Sequence, residues 1–209
     1  MFPLLTTIIL IPLTGAFLLL FIPKKYSNLI KNVGLFSSFL CFIISLLLWT
    51  NFDHSTSSFQ FVEKYDWLIN SNISVCLGVD GISLFFILLT TLLIPLCLLG
   101  SWHSVKYNTK EYFICFLVID AILIAVFSVL DLFLFYICFE SVLIPMFLIV
   151  GFWGSRERKI RASYLFFLYT LVGSVLLLLA ILYIYFYVGT TDYQVLLTTS
   201  FSKDIQKIL

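Results

Sequence analysis

The chain has 209 residues, 62% hydrophobic and 11% charged, with a mean hydropathy of +1.12; such a surface cannot face water, so the solvent for most of it is lipid. A net charge of +1, from 12 basic and 11 acidic residues, excludes the basic excess of a nucleic-acid binder, and no nucleic-acid partner is expected. The five cysteines, Cys41, Cys76, Cys97, Cys115 and Cys138, are odd in number and lack C-x-x-C spacing, while His54 and His103 stand alone in polar connections, so no disulfide, iron–sulfur cluster or metal site is expected.

The N-terminus enters an apolar run at once, without a basic segment, a cleavage site or an amphipathic presequence. Together with 23 Phe this is the pattern of a chain made inside the organelle or bacterium that uses it. A crossing helix needs about 20 apolar residues. Uncharged windows of that order run from Met1 to Pro23, Asn32 to Phe52, Gly81 to Val105 and Ala162 to Thr191. Between Tyr112 and Ser155 a longer apolar stretch is broken only by Asp120, Asp131 and Glu140, which is two crossings with Asp131 at the tight turn.

The expected fold is therefore all-α, one transmembrane domain over 1–209 with six membrane-spanning helices at about 2–22, 30–51, 81–102, 112–130, 132–152 and 163–188. The long connection 53–79 holds Trp67 and Asn72-Ile73-Ser74, formally a glycosylation acceptor; it reads as a short ordered segment or β-hairpin on the membrane surface. Asp131 is expected to cap the fifth helix, aspartate being a favoured N-cap. Pro12, Pro95 and Pro145 sit inside spans and are expected to kink them.

Direction follows from the basic residues. Connections 1–2, 3–4 and 5–6 hold nine: Lys24, Lys25, Lys31, Lys106, Lys110, Arg156, Arg158, Lys159 and Arg161. The opposite face holds three, Lys64, Lys203 and Lys207, so the first face is inside and both termini point outward. The run 156–161 reads as a topogenic loop that also meets anionic headgroups. In the sixth helix Tyr169, Thr170, Gly173 and Ser174 suit close helix packing, and secondarily the lining of a water wire.

An ionised carboxylate at the bilayer centre costs at least about 2.5–3.5 kcal/mol, so Asp120 and Glu140 need a reason to be there. Counting from the turn at Asp131 at about 1.5 Å per residue, they lie roughly 16 and 13 Å deep. Two carboxyls at similar depth on neighbouring antiparallel helices could share a proton or a water chain; alternatively each is a hydrogen-bonded lock on helix packing. Pro145 has no N–H for the carbonyl of Ser141, which loosens the helix beside Glu140 and leaves backbone groups to hold water.

The segment Asp131 to Phe147, DLFLFYICFESVLIPMF, followed by GFWGS at 151–155, resembles subunit 4 of NADH dehydrogenase, the respiratory complex I. GVDGISL at 78–84 and YLFFLYT at 164–170 resemble the same family, and the likeness spans essentially the whole chain. It implies an antiporter-type proton channel in the membrane arm of an NADH:ubiquinone oxidoreductase of the mitochondrial inner membrane. Both termini would then face the intermembrane space, and the gene would be organelle-encoded. Glu140 matches the family's essential glutamate and Asp120 falls where the family usually carries one. The chain would hold no cofactor: NADH, FMN, iron–sulfur clusters and ubiquinone belong to partner subunits. The implied partners are the other membrane-arm subunits of complex I and lipids such as cardiolipin.

Family members run to about fourteen helices and pair the helix 5 glutamate with lysines further along, whereas no lysine lies inside the spans of this chain. The resemblance therefore implies a separate C-terminal fragment carrying those lysines, as from a split gene. A subunit of a Na⁺/H⁺ antiporter or of a membrane-bound hydrogenase would show the same helices and glutamate, and a structural remnant would keep the helices alone.

Overall fold

The computed structural model describes residues 3–56, 58–68 and 73–201. Asn72 of the formal glycosylation acceptor and Lys203 and Lys207 of the outward count lie outside the described residues. Six helices are long and apolar enough to cross a membrane: α1 (Leu4–Phe21), α2 (Ser27–Asn51), α3 (Gly81–Gly100), α4 (Thr109–Ser128), α5 (Leu132–Trp153) and α6 (Lys159–Val188). A short α7 (Tyr193–Thr198) follows. Beside the helical bundle, the long connection forms an antiparallel hairpin, one of its two expected forms: β1 (Gln60–Leu68) with β2 (Ile73–Val79). Helices α1, α3 and α5 each continue past their proline.

Helix α4 is the hub, packing on α1, α2, α3 and α5, while α6 packs chiefly on α5. Half of α4 is buried but only 11% of α5 and of α6, so α1–α4 make a closed bundle and α5–α6 an arm on its flank. Without water to drive helices together, small residues must let them approach. At Gly15 of α1 a Cβ would meet Ser37 Oγ of α2 at 2.1 Å, and at Gly34 of α2 it would meet the Phe113 ring of α4 at 2.5 Å. Buried hydroxyls add polar ties: Ser45 and Thr91 bond across α2 and α3 at 2.9 Å, and Ser37 donates to the Ile11 carbonyl at 3.2 Å.

Helices α1, α3 and α5 are each closed at both ends by a charge of the favourable sign. At their N-terminal ends, Glu63 of β1 accepts from Leu5 N at 2.8 Å and from Thr6, Asp80 accepts from Ser83 N at 2.7 Å, and Asp131 from Leu134 N at 3.0 Å. At their C-terminal ends, Lys110 donates to Leu20 O and Ile22 O, Lys31 to Trp102 O just past α3, and Lys159 to Phe152 O of α5. Carboxylates meet the free N–H groups and ammonium groups the free carbonyls, the arrangement the helix dipole rewards. Lys31, Lys110 and Lys159 therefore have an architectural role, and Lys24 of the α1–α2 connection adds an ion pair to Glu111 of α4.

Glu63 was not legible from local sequence. Helix α1 starts at Pro3, whose side chain offers no cap, and the acceptor comes from 58 residues downstream. The ladder slips between Gln60 and Glu63, with Phe61 at φ 54°, so a bulge directly precedes the capping residue.

Candidate proton-transfer site

The α4–α5 turn fixes the depth of the candidate carboxylates. Residues 129–131 run between two partners ahead of α5: Leu130 N donates to Cys76 O of β2 at 2.8 Å, Tyr193 N to Leu130 O at 2.9 Å, and Leu132 N, at the start of α5, to Thr191 O at 3.0 Å. Asp131 is buried, caps α5 and accepts the Thr191 hydroxyl at 2.5 Å. Its expected structural role stands here in atomic form, and the link to Thr191 is additional. Both carboxyl oxygens are occupied by protein donors, so nothing marks Asp131 as a proton carrier.

Glu140 lies in the third turn of α5, on the face toward α6. It lines a half-open cleft of about 330 Å³ with Tyr136, Ile137, Ser141 and Ile144 of its own helix and Phe167 of α6. Its Oε2 is buried without a hydrogen-bond partner among the described residues. The Ser141 hydroxyl turns back to Ile137 O at 2.7 Å, and Pro145 is buried one turn on. That oxygen is left to water or to a partner side chain that reaches the cleft.

Asp120 is fully buried, and neither carboxyl oxygen has a hydrogen-bond partner among the described residues. It continues the stripe Phe113, Leu117, Ile124 of α4. That stripe faces Gly34 of α2, Gly15 of α1, and the cluster containing Leu5, Ile8 and Cys41. The Cys41 thiol is its electrostatic neighbour. The α5-facing stripe is a different one, marked by Tyr112 against Trp153 with ring centroids 5.2 Å apart. The expectation that Asp120 and Glu140 share a proton is therefore not met by direct contact: similar depth put them level, but the helical phase of residue 120 aims it at α1 and α2.

Among the described residues no group of His, Cys, Asp and Glu could hold a metal. Thr170 and Ser174 of α6 bond back to carbonyls of their own helix at 2.7 and 3.0 Å, and Tyr169 is 86% exposed. They place hydroxyls and an aromatic face on the arm without forming a wire to Glu140.

The family model described as NADH:quinone oxidoreductase/Mrp antiporter, TM, matches residues 129–208. The chain belongs to the family described as NADH-ubiquinone oxidoreductase chain 4, amino terminus, whose model matches residues 4–130. It is 59% identical to NADH-ubiquinone oxidoreductase chain 4 of Chondrus crispus over 96% of its length and 56% identical to that of Arabidopsis thaliana over 98%. It superposes on a chain of respiratory complex I from Thermus thermophilus with a TM-score of 0.81 and 25% identity, covering 96% of this chain and 40% of that one. The chain spans about two-fifths, 41%, of the length of those two relatives.

Proposed function

We propose that the chain is the amino-terminal part of a proton-translocating subunit 4 in an NADH:ubiquinone oxidoreductase, with Glu140 as its intramembrane proton carrier. The carrying observation is the buried, unpartnered Glu140 oxygen at a cleft open on one side, in a chain of this family. NADH oxidation, FMN, iron–sulfur clusters and ubiquinone belong in this reading to other subunits, and the chain contributes proton transfer across the mitochondrial inner membrane, its termini toward the intermembrane space. The remaining three-fifths of the relatives' length would supply what closes the cleft. A lysine-bearing helix laid against α5 and α6 would give Glu140 an alternating partner, the expected contribution of a separate C-terminal fragment. Other membrane-arm subunits and anionic lipids such as cardiolipin complete the expected partners.

Asp120 enters this reading as a second proton carrier on the α1–α2 side, exchanging with Glu140 only through intervening groups. A role in a Na⁺/H⁺ antiporter remains the second reading, because the model that matches 129–208 is described for both classes. Mass spectrometry of the intact complex purified through this chain separates them. Flavin and iron–sulfur subunits, together with a polypeptide carrying intramembrane lysines, are expected; their absence from an otherwise intact assembly contradicts the oxidoreductase reading.

A further inference from the structure

Five basic side chains, Lys25, Lys106, Arg156, Arg158 and Arg161, make no ion pair or hydrogen bond among the described residues. One of them stands in a formed cleft. Between the α3–α4 connection and the C-terminal end of α5 lies a space of about 560 Å³, lined on one side by Ser104, Lys106 and Tyr107 and on the other by Ile149, Phe152 and Trp153, with Lys159 at its edge. Its walls are tied together: Trp153 Nε1 donates to Tyr107 O at 3.0 Å, and the Trp153 ring packs edge-on to Tyr112. No acidic residue lines it. The carboxylates nearest in sequence are Glu111, next to Tyr112 and paired with Lys24, and Glu157, exposed among Arg156, Arg158, Lys159 and Arg161.

We propose that this cleft seats the headgroup of an anionic phospholipid, its phosphate held by Lys106 and Lys159 and its acyl chains running along Ile149 and Phe152 toward the hydrocarbon. The charges are of one sign, the cleft sits where the spans end on the basic face, and its floor is apolar side chain continuous with the membrane surface of α5. A soluble anion would use the lysines but not that floor. A tryptophan and a tyrosine at the rim are the residues that favour the headgroup level. Lys159 already caps α5 through Phe152 O, so a phosphate bound there would bridge the α3–α4 connection to the α5–α6 arm beside the hydrogen bond from Trp153 to Tyr107 that joins them. This seat rests on the reading that the basic face meets anionic lipid, and not on proton transfer by Glu140.

The test uses the full chain in nanodiscs of phosphatidylcholine doped with phosphatidylglycerol brominated near the top of its acyl chains. Trp153 emission, taken as the difference between the chain and its Trp153→Phe variant, should be quenched more by brominated phosphatidylglycerol than by equal brominated phosphatidylcholine. Lys106→Gln should cut that preference about fivefold, the value of one lysine near a charged lipid, while Lys25→Gln leaves it in place. Native mass spectrometry of phosphatidylglycerol retained by Lys106→Gln gives the same answer without the Trp153 variant. Equal quenching by both lipids overturns the proposal. So does an equal loss in Lys25→Gln, which would mean diffuse surface attraction, or displacement of the lipid by millimolar inorganic phosphate, which would mean a soluble-anion site.

Discussion

The Thr191 hydroxyl donates to Asp131 at 2.5 Å, joining the α4–α5 turn to the end of α6. The same carboxylate caps α5 through Leu134 N, so one side chain sets the height of the fifth helix and anchors the sixth. Asp131→Ala should lose the cap and leave a buried hydroxyl unpaired, at a cost of about 2–3 kcal/mol. Thr191→Val, which spares the cap, should cost about 1 kcal/mol. Thermal unfolding of the two variants in detergent checks the order, and a Thr191→Val as damaging as Asp131→Ala would mean that the clamp, not the cap, carries the effect.

Glu63 should hold the N-terminal end of α1 from the hairpin. Glu63→Ala removes acceptors from Leu5 N and Thr6 N together, and a lost cap costs about 1 kcal/mol. Hydrogen exchange at these two amides is expected to speed up in the variant while Ser83, capped by Asp80, keeps its rate. Unchanged exchange at Leu5 and Thr6 would show that the hairpin does not cap α1 in the membrane.

The interhelical approach at Gly15 tolerates no added carbon, because a Cβ there would meet Ser37 Oγ at 2.1 Å. Gly15→Val is expected to separate α1 from α2 and cost about 1–3 kcal/mol. Gly173, with nothing near its Cβ position, should accept alanine without loss. The yield of folded chain from membranes for the two variants is the measurement.

Cys76 lies on β2, outside the spans, and burial pushes its thiol up from the ordinary value, helped by the negative charge of Asp192 and opposed by Lys64. The thiolate is the form that reacts. A raised pKa leaves less of it at any given pH, so alkylation of Cys76 by iodoacetamide should begin at higher pH than that of a free thiol. Rates followed by peptide mass spectrometry from pH 7 to 10 test this, and an onset at the free-thiol pH contradicts it.

What the sequence carried openly was whatever is local. Hydropathy windows show six crossings because each helix must satisfy its own backbone in lipid, and an aspartate between two apolar runs is a cap on either side of any tertiary fold. The hairpin was readable only as one of two options, a short ordered segment or a β-hairpin, from the mixture of polar and apolar residues at 53–79. Glu63 and Thr191 were not readable as partners, since the donor that Glu63 meets and the acceptor that Thr191 meets lie 58 and 60 residues away. Asp120 shows a different limit. Depth along a helix follows from counting, but the face follows from phase, and the stripe Phe113, Leu117, Ile124 could have shown residue 120 turning away from Tyr112 and its α5 contact had the glycines opposite been paired with it. The lysines at the C-terminal ends of α1, α3 and α5 were read for topology alone, because sequence does not show which carbonyls they reach.

Proton carriage by Glu140, as proposed, is tested in the assembled oxidoreductase in sealed membranes by protons moved per NADH oxidised. Glu140→Gln keeps the size of the side chain and should nearly abolish the chain's share of pumping with assembly intact, while Asp120→Asn should lower it only in part. A wild-type proton-to-electron ratio in assembled Glu140→Gln would contradict the account.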